Sequence, residues 1–160
     1  MSVLADQSGV SFGIWQPGRT KGLDVAGEPS SLCWVELHTP DVARAAAFYR
    51  QVLGWETEGV PLPGGTYTCI NPEGAGPDAM FGGLVPLATD PTQLHSGAHW
   101  LPYFAVADAD ATVSRAQELG GTVEVPAADM AGVGRIARLV DPQGARFAVL
   151  KSAPRQPQED

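Results

Sequence analysis

The residues best equipped for chemistry in this 160-residue chain are Glu36 and His38. They alternate within LCWVELH, residues 32–38. A strand there sets Trp34, Glu36 and His38 on one face and Cys33, Val35 and Leu37 on the other. A carboxylate beside an imidazole can move protons, or supply two of the three ligands a catalytic metal needs. The other two imidazoles, His95 and His99, lie near the start of a later strand. A purely structural alternative stays open: His38 caps a helix start, and His95 and His99 are loop or strand-end residues in water. Glu36, if buried, needs a partner or a task. Arg135 or Arg138 on a neighbouring strand is the structural choice of partner.

Other chemistry is poorly provided for. Cys33 and Cys69 are the only cysteines and form no CxxC, so neither a redox motif nor a zinc knuckle is present. Each sits in a strand-like run, where a buried free thiol is expected. No GxSxG or HExxH occurs, and no nucleophile–base pair stands out. The GVG at 132–134 precedes a strand and not a helix, so a dinucleotide loop is excluded.

The elements that position Glu36 and His38 follow from HTPDVARAAAFYRQVLGW, residues 38–55. Thr39 is the expected N-cap, Pro40 suits the first helical position, and Asp41 favours the positive end of the helix dipole. Val42, Ala45, Ala46, Tyr49, Val52 and Leu53 form one stripe at helical spacing, with Phe48 at its edge. Gly54 stops the helix. Strands are expected at 55–60, 66–71 and 79–86, with a turn at 61–65. Gly82 and Gly83 mark a bulge or a close backbone approach. After a connector at 87–97, the order repeats. A strand at 99–106 is interrupted by Pro102, which predicts an edge or a bulge. A helix follows, capped by Asp108, with Ala109, Thr112, Val113, Ala116 and Leu119 inward and Gly120-Gly121 at its end. Strands are expected at 122–125, 135–140 and 145–151, with a loop at 126–134. The tail, 152–160, is expected to fray.

Two further segments stand outside this doubled βαβββ pattern. Residues 5–16 read as a turn and a strand, and align without gaps with 140–151: Asp6 with Asp141, Gly9 with Gly144, Phe12 with Phe147. Asp opens such a turn, Gly closes it and Phe is the first inward residue of the strand. Residues 17–31 are polar and rich in Gly and Pro, as in a linker.

The formal charge of −8 argues against nucleic acid and anionic membranes as partners. No apolar run reaches the length of a membrane span, and the first residues lack the pattern of a signal peptide. A cytoplasmic, soluble protein with an ordinary α+β core is expected.

The two βαβββ modules, the D…A…FY…LGW run, the shortened D…A…LGG run and the closing DPQG-x-x-F strand resemble the vicinal oxygen chelate superfamily. That group includes glyoxalase I, extradiol dioxygenases and bleomycin-resistance proteins. LCWVELHTPD with HWLPYFAVAD is most similar to its actinobacterial branch of tandem domains. The resemblance implies an α+β domain over 32–151, modules 32–86 and 99–151, whose mixed sheet forms a cup. It also implies that 1–16 is an extra N-terminal strand, left over from a preceding module or exchanged within a homodimer.

Enzymes of this superfamily hold a divalent metal with side chains from the first and last strands of each module. Those positions fall here on Trp34, on Trp100 or Leu101, on Ala148, near Gly82, and in the head segment on Gly13. None offers a coordinating side chain. The resemblance therefore implies no metal at the usual site and no cofactor. It implies instead an aromatic cleft of Trp34, Phe81, Trp100 and Tyr103 with Glu36 among them, holding a planar or drug-like ligand. Ordinary core packing of these aromatics is the alternative. A metal-free isomerase or cyclase using Glu36 as base with His38 assisting, or a displaced metal for lyase or dioxygenase chemistry, is the other reading of the same face. A third is a filled cup that serves only for dimerisation.

Overall fold

The computed structural model describes residues 1–62, 65–89 and 97–154. Its chain divides into two compact units, one of residues 1–24 and 34–101, the other of 25–33 and from 102 onward. The fold is α+β, with two α-helices, two short 3-10 turns and ten strands among the described residues.

The first unit opens with a hairpin, β1 (Ser2–Ala5) against β2 (Ser11–Ile14), paired antiparallel. Strand β1 carries no turn signal ahead of it and was not expected from the sequence. Next come β3 (Leu32–Thr39), α1 (Val42–Leu53), β4 (Glu56–Leu62), β5 (Gly65–Asn71) and β6 (Gly82–Pro86). Their order across the sheet is β4-β5-β6-β3, with β3 and β6 parallel. Leu37, Leu84 and Ile70 turn toward α1 and join Ala45, Tyr49 and Val10 in a buried core.

Helix α1 differs from the sequence reading at both ends. Its N-cap is Asp41, whose carboxylate accepts from Arg44 N at 2.9 Å. Thr39 is still in the sheet, paired with Pro86, so it is too early to cap. At the far end, Gly54 takes the left-handed conformation, φ +71°, as expected. Val52 and Leu53, placed on the inward stripe, are 45% and 36% exposed. The apolar stripe of the sequence outruns the core that α1 covers.

The second unit holds β7 (His99–Ala105) from residue 102, then α2 (Ala109–Glu118), β8 (Thr122–Met130), β9 (Gly134–Val140) and β10 (Arg146–Ser152). The order is β8-β9-β10-β7, with β10 and β7 parallel, as in the first unit. The β7–β10 ladder covers Tyr103 to Ala105 and so begins just past Pro102. Asp108 caps α2 through Ala111 N at 2.9 Å, as expected. Ala109 is buried, and Val113 and Ala116 pack against Ala137, Leu139 and Val149, but Leu119 is 62% exposed. The loop expected at 126–134 shrinks to a turn at 131–133, and the rest is strand. Register shifts between Val123 and Val125 and between Val125 and Ala128 absorb Pro126 and let β8 continue to Met130.

Residues 17–31 hold no helix or strand. Part of that segment is nonetheless tied down, since Ser30 N donates to Ala105 O and Ala105 N to Ser31 O. No helix among the described residues is long and apolar enough to cross a membrane. His95, the tip of the 61–65 turn and the tail beyond Pro154 lie outside the described residues.

Candidate functional site

The pleat of the first unit's sheet decides what surrounds Glu36. Glu36 on β3 pairs with Gly83 on β6, which pairs with Cys69 on β5. These three residues form one row on the face away from α1, and Tyr67 shares their side of β5. Trp34 and His38 flank Glu36 two residues to either side.

A chain of polar contacts links this face. The Trp34 indole N–H donates to the Tyr67 hydroxyl oxygen at 2.9 Å. The Tyr67 hydroxyl donates to Glu36 Oε1 at 2.7 Å. Glu36 Oε2 lies 3.3 Å from His38 Nε2. The His38 ring stacks on His99 at 4.9 Å with 3° between planes, and His99 Nδ1 is 2.8 Å from Gly97 O. Glu36 is 8% exposed and His38 fully buried. Desolvation of a carboxylate at that depth is offset by charge-assisted hydrogen bonds, each worth roughly 1.5–3 kcal/mol. Tyr67 and His38 are two of the partners of Glu36. Arg135, one expected partner, is taken by Asp110 at 2.7 and 2.8 Å and by Asp129 at 3.3 Å.

Tyr67 was missed in the sequence, where TYTCIN read only as a strand. The glycine pair was the available signal. Gly82 and Gly83 are not a bulge, because β6 keeps unbroken register with both neighbours. They are the close approach. A Cβ on Gly82 would stand 2.5 Å from the Val35 carbonyl oxygen, and one on Gly83 would stand 2.0 Å from the Tyr67 hydroxyl. Gly83, and not Gly82, lies on the face of Trp34 and Glu36.

Two aromatics of the expected cleft belong to the first unit's core. Phe81 and Trp100 pack on the α1 side of the sheet, with Trp55 5.0 Å from Phe81 and 6.1 Å from Trp100, and Tyr49 5.7 Å from Trp100. Strand alternation puts Trp34 on the opposite face, with Tyr67. Tyr103 belongs to the second unit, where it is buried opposite Ala148 and its carbonyl accepts from Cys33 Sγ at 3.4 Å. In the first unit's core, burial and then the charge of Asp6 push the Tyr49 hydroxyl well above the ordinary tyrosine range. The Trp100 N–H opposes this without meeting hydrogen-bond geometry.

The metal positions of the fold can be tested against this geometry. Trp34, Gly83, Leu101 and Ala148 offer no lone pair that coordinates a cation. The space beside Gly83 holds the Tyr67 hydroxyl. Among the described residues no three His, Cys, Asp or Glu side chains converge as a metal group, and the parallel stack of His38 on His99 is the wrong geometry for two ligands of one ion. Both thiols are also poor ligands. Burial pushes Cys33 and Cys69 up, with the charges of Glu58 and Glu36 adding at Cys69, so the metal-binding thiolate is disfavoured. The residues present do not fit the metal.

Residues 34–150 match the family model described as a glyoxalase-like domain. The chain is 40% identical over 156 residues to the putative glyoxylase CFP32 of Mycobacterium tuberculosis, covering 98% of this chain and 57% of that protein. It is 41% identical over 154 residues to the anthracycline biosynthesis protein DauV of Streptomyces sp. strain C5, covering 94% of this chain and 52% of that one. The chain therefore spans little more than half the length of these relatives. Among solved structures, methylmalonyl-CoA epimerase from Mycobacterium tuberculosis superposes with a TM-score of 0.55 at 19% identity, covering 77% of this chain and 88% of the epimerase. That likeness is one of fold. With its doubled βαβββ order and the match across 34–150, the chain belongs to the glyoxalase-like domain family of the vicinal oxygen chelate superfamily.

Proposed function

We propose that this protein is a metal-independent small-molecule-binding member of its family, which holds a planar ligand against Trp34 and anchors it at Glu36. The observation that carries this reading is the Trp34–Tyr67–Glu36 hydrogen-bond chain. The half-buried indole has its N–H committed to Tyr67, so it offers a ring face for stacking and no donor. The carboxylate is held in one orientation, which lowers the cost of ordering it on binding. The name of DauV, an anthracycline biosynthesis protein, supports a flat, multi-ring ligand.

Quenching of tryptophan emission by an anthracycline tests this. Saturable quenching is expected, weakened about tenfold by Trp34→Phe, which is about 1.4 kcal/mol. The anthracycline should be recovered unchanged. Absence of quenching, or quenching indifferent to Trp34, overturns the reading. Conversion of the anthracycline would favour a second one. In it Glu36 takes a proton from the ligand with His38 assisting, a role that the 3.3 Å contact between them supports.

A further inference from the structure

The disagreement between the fold's metal positions and this chain's residues has a specific physical form. In the first unit those positions are Trp34 on β3 and, by face, Gly83 on β6. One group touches both. The Tyr67 hydroxyl accepts from the Trp34 indole at 2.9 Å and lies 2.0 Å from the place a Gly83 Cβ would take. It in turn donates a hydrogen bond to Glu36 Oε1 at 2.7 Å. We infer that Tyr67 is a built-in substitute for the fold's metal, a positioning residue whose hydroxyl plugs the coordination space and fixes Glu36 as the polar anchor of the face.

Three features argue that the arrangement is specific. A coordinating ion draws its ligands to a common centre, and here a single oxygen gathers Trp34 and Glu36 in the same way, by hydrogen bonds in place of coordinate bonds. The oxygen fits only because residue 83 has no side chain, since a carbon 2.0 Å from it is well inside van der Waals contact. The same glycine that denies a metal its ligand therefore admits the phenol. Finally, the phenol is rigid and arrives from the adjacent strand, with Cys69 of that strand paired to Gly83, so the backbone register sets its position. The substitute differs from an ion in what it can bind. An ion takes paired ligand oxygens as electron donors, whereas Glu36 is an acceptor and selects ligand hydroxyl or ammonium groups. This last consequence rests on the binding function proposed above; the plug itself does not.

The test is chosen to be independent of any ligand. Protein purified without chelator is titrated calorimetrically with Zn²⁺ and Ni²⁺. The wild type is expected to show no stoichiometric site, and the triple variant W34H/Y67A/G83E, with the plug removed and ligands restored, to take one ion. One equivalent of metal bound by the wild type and lost in Glu36→Gln overturns the inference. Because the triple variant can fail to fold, a second measurement reads the plug directly. In protein labelled with ¹⁵N at its tryptophans, the Trp34 indole proton should exchange with solvent at least tenfold faster in Tyr67→Phe than in the wild type. Its resonance should also move in Glu36→Gln, which is linked to Trp34 through the Tyr67 hydroxyl. The other indoles should stay put. Unchanged exchange in Tyr67→Phe overturns the inference. A protein that binds no anthracycline but passes these tests keeps the plug and loses only the proposed ligand.

Discussion

Two turns in this molecule are built alike and used differently. In the head hairpin, Asp6 N donates to Val10 O, Gly9 N donates to Asp6 O, and Asp6 Oδ1 accepts from Ser8 N and Val10 N. In the turn before β10, Asp141, Gln143, Gly144 and Ala145 repeat this bond for bond. Gly9 and Gly144 both have positive φ, +80° and +92°. Each turn then delivers a phenylalanine to a helix: Phe12 lies 5.3 Å from Tyr49, and Phe147 packs near Val113 and Ala116. The difference is in the carboxylate's second oxygen. Asp6 is 6% exposed and its Oδ2 accepts from the Tyr49 hydroxyl at 3.2 Å. Counting from the two aspartate caps, the residue in the place of Tyr49 on α2 is Ala116, which has nothing to donate. One local motif is a solvated turn in one unit and a buried polar tether in the other, and a single helix position decides which.

The largest expected effect comes from removing each aspartate. Asp141→Ala loses the turn's side-chain caps and should cost about 1–2 kcal/mol in urea unfolding. Asp6→Ala loses the same caps and also strands a buried phenol, adding about 1–3 kcal/mol. Equal losses would show that the tether carries no weight. A second contrast sets Gly83 on β6 against Ala148 on β10, each in the strand that runs parallel to the first strand of its own unit. Gly83→Ala should cost about 1–3 kcal/mol by overpacking against Tyr67, and Ala148→Gly about 1 kcal/mol or less. A smaller effect is expected at alkaline pH. Since the Tyr49 hydroxyl is raised in the folded state, its contribution is complete below the ordinary tyrosine pKa near 10. Above that pH the unfolded chain releases the proton first, and stability should fall by up to about 1.4 kcal/mol per pH unit. Chemical denaturation from pH 9 to 11 should show this slope in the wild type and lose that component in Tyr49→Phe.

Much of the comparison was legible before any coordinates. The matching Asp, Gly and Phe spacings identified both turns, because such turns are made by local hydrogen bonds among neighbouring residues. The Asp108 cap and the Gly54 stop were legible for the same reason. Contacts set by sheet register were not. Glu36, Gly83 and Cys69 share a row only once β3, β6 and β5 are aligned, and nothing in TYTCIN says that Tyr67 points at a carboxylate 31 residues earlier. Phe81 and Trp100 were grouped with Trp34 by family position, without asking which face of the sheet α1 covers, and both pack on the α1 side. Helix periodicity likewise placed Val52, Leu53 and Leu119 inward, although both helices end in residues the sheet does not cover.

The missing Cβ at residue 83 also constrains how this chain can change. A coordinating side chain cannot be introduced there while Tyr67 keeps its place, and Tyr67 cannot be lost without leaving Trp34 and Glu36 bereft of their common neighbour. The two solutions are mutually exclusive at one point in space. A lineage moving from one to the other must therefore pass through a protein that has neither ion nor phenol, and that intermediate has to survive on the strength of its core alone.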